Sequence, residues 1–153
     1  MKVALHELKY RGRRRVARRL AQALLTAPGA SDWLDGAALL VPVPLHPRRE
    51  RQRGFNQAEL IAAHIASLTG LRHEPRALVR RIDSPSQTGL SASARRRNVA
   101  QAFAVRRRAP IAGRCVVLVD DVTTTGATAR ACARALLSAG AAEVRLLVAA
   151  RVE

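Results

Sequence analysis

The chain has 153 residues, a length that suits one domain and hardly two. Apolar residues make up 48% of it, so a sizeable core can be buried, but aromatic residues are scarce and the core must consist mainly of Ala, Leu, Val and Ile. No apolar leader opens the chain, and no stretch approaches the roughly 20 apolar residues that span a bilayer. The sequence therefore predicts no membrane insertion and favours a cytoplasmic protein.

The charge is strongly basic. Lys and Arg number 27 against 11 Asp and Glu, a formal net charge of +16, and every basic residue except Lys2 and Lys9 is an arginine. Arginine pairs bidentately with phosphate, so this surplus indicates phosphate-bearing partners, either small molecules or nucleic acid. A GC-rich genome would favour Arg over Lys, but it would not explain the excess of basic over acidic residues.

The first half of the chain shows two helical patterns around one strand. Apolar residues at helical spacing predict an amphipathic helix over 13–26, ended by Pro28-Gly29. A short apolar run predicts a buried strand over 37–43. An arginine-rich segment with three prolines follows and is expected to be a loop. The next helix is predicted over 56–69, with Asn56 as its N-cap and Gly70 at its end.

The second half indicates a strand–helix–strand unit. Weaker patterns predict a strand over 77–82, a mobile Ser- and Gly-rich segment over 83–93, a short helix over 94–101 and an extended segment over 103–105. The solid apolar run 115–119 is typical of a parallel strand that is buried on both faces. A helix over 127–138 and a strand over 144–149 complete a βαβ unit.

Two acidic residues, Asp120 and Asp121, follow the run 115–119 directly. The carboxyl edge of an open parallel sheet is where such folds bind ligands, and we expect the strand to end there, with both carboxylates turned toward the crevice. Adjacent carboxylates can accept hydrogen bonds from a vicinal diol or hold a metal ion through water. An Asp pair after a strand is common in Mg²⁺ sites, so the pair alone is not specific.

A hydroxyl-rich turn comes next and leads into the predicted helix. Amide groups at a helix N-terminus bind phosphate, and Gly126 allows close approach or a positive φ. A threonine-rich turn could also simply cap the helix, but the succession strand–Asp–Asp–Val–turn–helix is much more specific. Diol acceptors beside a phosphate cradle predict a ribose 5-phosphate ligand. Neither a P-loop nor a GxGxxG fingerprint is present.

The segment Val116–Thr128 resembles the motif with which type I phosphoribosyltransferases bind 5-phosphoribosyl 1-diphosphate (PRPP). The resemblance implies an α/β fold with a mostly parallel twisted sheet flanked by helices, in one domain over 1–153. It implies that Asp120 and Asp121, the candidate catalytic pair, contact the ribose hydroxyls and that Mg²⁺ is held mainly by the diphosphate and diol of the ligand. The 5-phosphate would be bound by Thr123, Thr124, Thr125, Gly126, Ala127 and Thr128.

Segments 8–12, 41–62 and 86–103 are similar to the signature of the competence protein ComF family, whose members are tied to natural transformation and the uptake of single-stranded DNA. Members commonly carry a four-cysteine zinc module before the first of these segments. This chain has only Cys115 and Cys132, without CxxC spacing, so no zinc is expected and no metal ligands are assigned. It is either a short member or begins downstream of the usual start.

The resemblance also suggests roles for two polar segments. Arginines after the first strand would face the diphosphate, although a solvated basic loop is an equal alternative; they are Arg48, Arg49, Arg51 and Arg53. Residues 83–98 match the flexible loop that closes over the site in these transferases and excludes water. Its polar candidates are Gln87, Thr88, Arg95 and Asn98.

Further arginine runs suggest a surface for single-stranded DNA, against the alternative of a merely solvated surface. They are Arg13, Arg14, Arg15, Arg96, Arg97, Arg106, Arg107 and Arg108. The leading hypothesis is a ComF-like protein that binds PRPP and DNA, with a DNA-uptake helicase or recombination proteins as possible partners. An active nucleobase phosphoribosyltransferase and a non-catalytic ligand- or partner-binding module remain alternatives.

Overall fold

The computed structural model describes residues 14–81 and 102–152, and for Arg14 and Arg15 it describes the backbone alone. The segment 8–12, the mobile segment expected over 83–93 and the short helix expected over 94–101 therefore lie outside the described residues. In the described ranges, none of the helices has the length and apolar character needed to cross a bilayer.

Helices and strands alternate along most of the described chain. The first half contains α1 (Arg14–Leu25), α2 (Ala30–Leu34), β1 (Leu39–Pro42), α3 (Pro47–Arg53), α4 (Gln57–Thr69) and β2 (Arg72–His73). The second half contains β3 (Leu78–Arg80), β4 (Phe103–Val105), β5 (Cys115–Thr123), α5 (Ala127–Ser138) and β6 (Glu143–Arg151).

Four parallel strands form the central sheet in the order β2-β1-β5-β6. Leu39 of β1 lies opposite Val116 of β5, and Cys115 of β5 lies opposite Glu143 of β6. Sheets of this kind are covered on both faces, which requires continuous apolar strands. All four residues of β1 and the run from Val116 to Val119 in β5 are buried accordingly.

Side chains that alternate along the strands supply two apolar layers. On one face, Val116 and Leu118 pack in a cluster with Cys132 and Leu136 of α5. On the other face, residues of β1 and β5 pack against α1 and α4; this cluster contains Leu40, Val117, Val119, Leu20, Ile61 and Ile65. The arrangement is a three-layer α/β sandwich, and it confirms the predicted fold class.

The strands β3 and β4 pair antiparallel as a separate two-stranded ribbon, with Leu78 opposite Val105 and Arg80 opposite Phe103. Leu78 and Phe103 are buried in the same cluster as Leu136 of α5, so the ribbon packs on the α5 side of the sheet. The undescribed residues 82–101 join the two strands of this ribbon.

Local capping explains why α4 was predictable. The Asn56 side chain accepts a hydrogen bond from the Ala58 amide at 3.1 Å, and Gly70 ends the helix at φ 76°. The amphipathic α1 and the extended segment of β4 are confirmed as well. The five-residue helix α2, which begins after Gly29, was not predicted.

The arginine-rich segment after β1 is a helix, α3, where a loop was expected. Its signals are short-range: the His46 side chain accepts from the Arg48 amide at 3.3 Å, Pro47 occupies the first turn, and Gly54 ends the helix at φ 78°. The prolines that suggested a loop stand before the helix and at its start, where proline is well tolerated.

Candidate functional site

Asp120 and Asp121 lie inside β5, which corrects the expectation that the strand ends before them. Pairing with β6 continues through Asp120 opposite Val148 to Thr123 opposite Arg151, and this pairing carries the strand past the acidic pair. The Asp121 amide donates to Oδ1 of Asp120 at 2.9 Å, and the Val122 amide donates to Oδ1 of Asp121 at 2.9 Å. Each carboxylate is thus fixed by the backbone of the next residue.

Asp120 faces the α5 side of the sheet. It is only 8% exposed. The pKa of the Cys132 thiol in α5 is raised, first by burial and then by the Asp120 carboxylate, while the Arg80 guanidinium opposes the shift. Asp120 and Arg80 therefore lie close enough to Cys132 for their charges to act on it. The Arg80 guanidinium also lies 5.5 Å from the centre of the Phe103 ring.

The turn between β5 and α5 is open to solvent. Thr124 and Thr125 are exposed, and Gly126 adopts φ 71°, the left-handed region that favours glycine. Gly126 occupies the N-cap position, and no side chain caps the helix from there. The Ala127 amide makes one long hydrogen bond, 3.4 Å, to Oγ1 of Thr125. The first amide groups of α5 are thus available to an anion, as a phosphate cradle requires.

Two side chains flank this turn. A Cβ atom added at Gly126 would lie 3.0 Å from Nη1 of Arg130 and 3.9 Å from Oγ1 of Thr123. Thr123 was among the predicted residues, but Arg130 was not. The available signal was its spacing four residues after Gly126 on a predicted helix, because helical side chains lean back toward the N-terminus.

The chain that leaves β1 reaches the same edge of the sheet. The Val43 amide donates to the Val119 carbonyl at 2.8 Å, which places the start of the β1–α3 connection beside the end of β5. Buried Asn56 donates from Nδ2 to the Val43 carbonyl at 3.0 Å, and it ties the start of α4 to this point. The arginines expected at the diphosphate lie on α3, where Arg48 and Arg51 are exposed.

A cleft of about 270 Å³ lies between the β1–α3 connection, α4 and β3. Two carboxylates and three guanidinium groups line it, from Glu50, Glu59, Arg76, Arg80 and Arg106. Burial raises the pKa of Glu59, the Glu50 carboxylate raises it further, and Arg76 opposes both. The sequence did not predict this cleft, because its lining comes from segments that are distant along the chain.

The acidic pair and the turn follow one another along the end of β5 and the start of α5, whereas other predicted residues lie elsewhere or are undescribed. Arg106, Arg107 and Arg108 are exposed and follow β4. Arg14 and Arg15 begin α1, with side chains outside the described set. Also outside the described residues are Arg13, Gln87, Thr88, Arg95, Arg96, Arg97 and Asn98. In the part of the chain that is described, no group of three or more His, Cys, Asp or Glu side chains could hold a metal ion.

A parallel sheet whose central strand carries an acidic pair into a threonine-lined turn and a helix defines a phosphoribosyltransferase-type domain. The Phosphoribosyl transferase domain family matches residues 53–152, and the chain belongs to that family. Solved structures agree. Glutamine PRPP amidotransferase from B. subtilis superposes with a TM-score of 0.58 at 25% identity, over 87% of this chain and 26% of that one. The allosteric regulatory enzyme of purine biosynthesis superposes with a TM-score of 0.54 at 23% identity, over 87% of this chain and 25% of that one.

Curated relatives carry names that concern DNA. DNA utilization protein YhgH of Escherichia coli K12 is 37% identical over 93% of this chain and 63% of its own length. Competence protein ComFC of Bacillus subtilis is 30% identical over 93% and 55%, and Competence protein F of Haemophilus influenzae is 29% identical over 99% and 68%. The chain thus spans 63% of the E. coli protein. These matches confirm the resemblance to the ComF family.

Proposed function

We propose that this domain binds a ribose that carries a 5-phosphate, in particular PRPP with Mg²⁺, and that it acts in the uptake or handling of single-stranded DNA during natural transformation. The observation that supports the ligand most strongly is the continuity of β5, the turn and α5. Backbone-anchored carboxylates and the helix start at Gly126 and Ala127 stand five to seven residues apart in one continuous strand–turn–helix unit.

Each end of the unit suits one end of the ligand. The carboxylates of Asp120 and Asp121 accept hydrogen bonds, and the 2- and 3-hydroxyls of a ribose donate them. The amide groups of Gly126, Ala127 and Thr128 donate, and a phosphate accepts with help from the positive end of the helix dipole. Thr123, Thr124 and Thr125 add hydroxyl donors around the same anion.

The residues fit a Mg²⁺ ion that arrives with the ligand. Mg²⁺ is usually held by one or two carboxylates plus phosphate oxygens and water, and the acidic pair of β5 offers two carboxylates without a third protein ligand nearby among the described residues. When bound, the ion would neutralise charge on the diphosphate. The proposed protein partners of the diphosphate are Arg48, Arg49, Arg51 and Arg53 on α3.

The remaining parts of the proposal concern the cover and the DNA. Residues 83–98 would close over the bound ligand, with Gln87, Thr88, Arg95 and Asn98 turned toward it, within one domain over 1–153. Single-stranded DNA would bind through arginines on the surface, in keeping with the formal charge of +16 and with relatives named for DNA utilization and competence. A DNA-uptake helicase or a recombination protein would be its partner in the cytoplasm.

A thermal-shift experiment tests the ligand. PRPP with Mg²⁺ is expected to raise the melting temperature of the wild-type protein, and the double variant Asp120→Asn, Asp121→Asn is expected to lose this rise. Asn keeps an oxygen for the neighbouring amide, so the fold is retained while the charge is lost. Asp32→Asn, an exposed substitution of the same kind on α2, serves as the control and should keep the rise. A rise that survives in the double variant would contradict the proposal.

An active nucleobase transferase is the second candidate, favoured by the similarity of the fold to a PRPP amidotransferase. It predicts release of diphosphate when PRPP is mixed with the right nucleobase. A non-catalytic binding module predicts the thermal shift without any release. Measurement of diphosphate across a panel of purines and pyrimidines separates these two candidates.

A further inference from the structure

Arg130 stands in the first turns of α5, directly above the start of the helix. Its amide donates to the Gly126 carbonyl at 2.9 Å, which places it one turn after that glycine. Helical side chains lean toward the N-terminus, so the Arg130 side chain runs back over the turn. Its Nη1 and Cζ atoms lie 3.0 and 3.8 Å from the position of a Cβ on Gly126. A Cβ atom at position 126 would require the Arg130 guanidinium to shift by a few tenths of an ångström.

This position is electrostatically unfavourable for a cation. The N-terminus of a helix carries a partial positive charge, which attracts anions and repels arginine. The first turn of α5 contains no acidic residue that would compensate. Among the described residues, the Arg130 guanidinium has no hydrogen bond or ion pair. A guanidinium beside the Gly126 backbone, at the positive end of a helix, is an arrangement that a bound anion would stabilise.

We propose that Arg130 is a binding residue for the phosphate of the ligand and that it makes the site selective for a doubly charged phosphate monoester. The inference rests on the proposed function. In this arrangement the amide groups of the turn bind the phosphate from below, while Arg130 donates from the solvent side in a charge-assisted pair. The unfavourable placement of the cation in the free protein becomes favourable in the complex.

Isothermal titration with ribose 5-phosphate tests this role. The variant Arg130→Gln is expected to bind about tenfold more weakly than the wild type, the usual effect of losing one hydrogen bond to a charged group. Arg130→Lys retains the charge but not the planar guanidinium, so its affinity should lie between those of the wild type and Arg130→Gln. Arg134→Gln is the matched control. This substitution removes the same charge one turn further along α5, where the Arg134 side chain lines a groove beside β4. The affinity of this variant for ribose 5-phosphate should equal that of the wild type.

Two further measurements, the pH dependence of affinity and the melting temperature without ligand, distinguish a ligand contact of Arg130 from a structural role. Wild-type affinity should rise as pH passes about 6, where a phosphate monoester becomes a dianion, and Arg130→Gln should show less of this rise. Without ligand, Arg130→Gln should melt no lower than the wild type, because the change removes a cation from the positive end of a helix. A lower melting temperature would overturn the inference in favour of a structural role.

The failures of the two proposals are distinguishable. Binding of ribose 5-phosphate by the wild type with equal affinity in Arg130→Gln overturns the role of Arg130 and leaves the proposed function intact. Equal weakening in Arg130→Gln and Arg134→Gln also overturns it, since the effect would then be a general one of net charge. Absence of any binding by the wild type overturns the proposed function and the role of Arg130 together.

Discussion

At the scale of single residues, the backbone determines how the candidate site is presented. Asp120 and Asp121 each accept the amide of the following residue, and Gly126 turns the chain through a positive φ into α5. These hydrogen bonds and this turn fix the backbone of the candidate site, and a fixed backbone reduces the ordering cost that a ligand must offset.

Gly126 should contribute to stability and to binding. The substitution Gly126→Ala places a side chain at φ 71°, which should destabilise the fold by about 1–2 kcal/mol and weaken ribose 5-phosphate binding by shifting the turn. Gly70→Ala is the control, because Gly70 has φ 76° at the end of α4 with open space around it. Urea unfolding should show that the free energy of unfolding falls by similar amounts in both variants, whereas only Gly126→Ala should lose affinity for ribose 5-phosphate. An equal loss of affinity in both would contradict a specific role for the turn.

The two cysteines should differ in reactivity. Cys132 is fully buried, and burial followed by the nearby Asp120 carboxylate raises the pKa of its thiol, so the reactive thiolate is suppressed. Cys115 is partly exposed. A thiol reagent at neutral pH is expected to modify Cys132 only after unfolding, whereas Cys115 should react more readily. Mass spectrometry of the digested protein measures the extent of modification at each cysteine. Labelling of Cys132 in the folded protein would contradict the packing of α5 on β5.

The candidate site of Asp120, Asp121 and the turn could be proposed from the sequence because these residues are contiguous, so that one short motif offers acceptors for a diol beside donors for a phosphate. Arg130 and Arg80 could not be predicted in the same way. The approach of Arg130 to Gly126 depends on a rotamer, and the approach of Arg80 to Cys132 depends on how the β3–β4 ribbon packs on the sheet.

At the scale of elements, helix caps are formed by neighbouring residues, whereas the length of a strand depends on its pairing with a distant segment. The caps of α4 are local, and its boundaries were predicted to within a residue. The full length of β5 was missed because acidic residues seldom favour strands, and it is the register with β6 that extends the strand to Thr123. The helix α3 was missed because its prolines and arginines resemble a loop, although His46 and Gly54 cap it well.

The cleft between α3, α4 and β3 should make stability depend on pH through Glu59. The pKa of Glu59 is raised by burial and by Glu50, so its stabilising contribution is present at low pH and is lost as the pH rises through the folded-state pKa. Glu59→Gln should therefore match the wild type well below pH 4.5 and be more stable at neutral pH. Chemical denaturation across this range measures the difference.

Glu143 provides a control of opposite sign. The hydrogen bond from Arg145 lowers the pKa of its carboxyl, so its contribution is present at neutral pH and is lost as the pH falls through the folded-state value. Glu143→Gln should be less stable than the wild type at neutral pH and equal to it in acid. If Glu59→Gln and Glu143→Gln changed the stability at neutral pH in the same direction, neither effect would arise from these local charges.

At the scale of the whole molecule, the charge of +16 should dominate encounters with polyanions. Composition alone predicted this property, and residues 106–108 are exposed as the hypothesis requires. The path of a DNA strand could not be predicted, because it depends on how separate arginine runs align in space and part of those runs lies outside the described residues.

Binding of a single-stranded oligonucleotide should weaken steeply with salt. Since single strands release about 0.7 counterions per neutralised phosphate, the triple variant Arg106→Gln, Arg107→Gln, Arg108→Gln should lower the slope of log affinity against log salt by about 2. Arg72→Gln is the control, because Arg72 is paired with Glu74 at 2.5 Å, and it should change the slope little. Fluorescence anisotropy gives the slopes. A slope near zero for the wild type would exclude a DNA-binding surface of this kind.

The most direct test of the central claim is a crystal structure with PRPP and Mg²⁺. We expect the 5-phosphate within hydrogen-bonding distance of the amide groups of residues 126–128 and the ribose hydroxyls on Asp120 and Asp121. A ligand that lies elsewhere, for example in the cleft beside Glu59, or a turn that stays empty at saturating PRPP, would contradict the account.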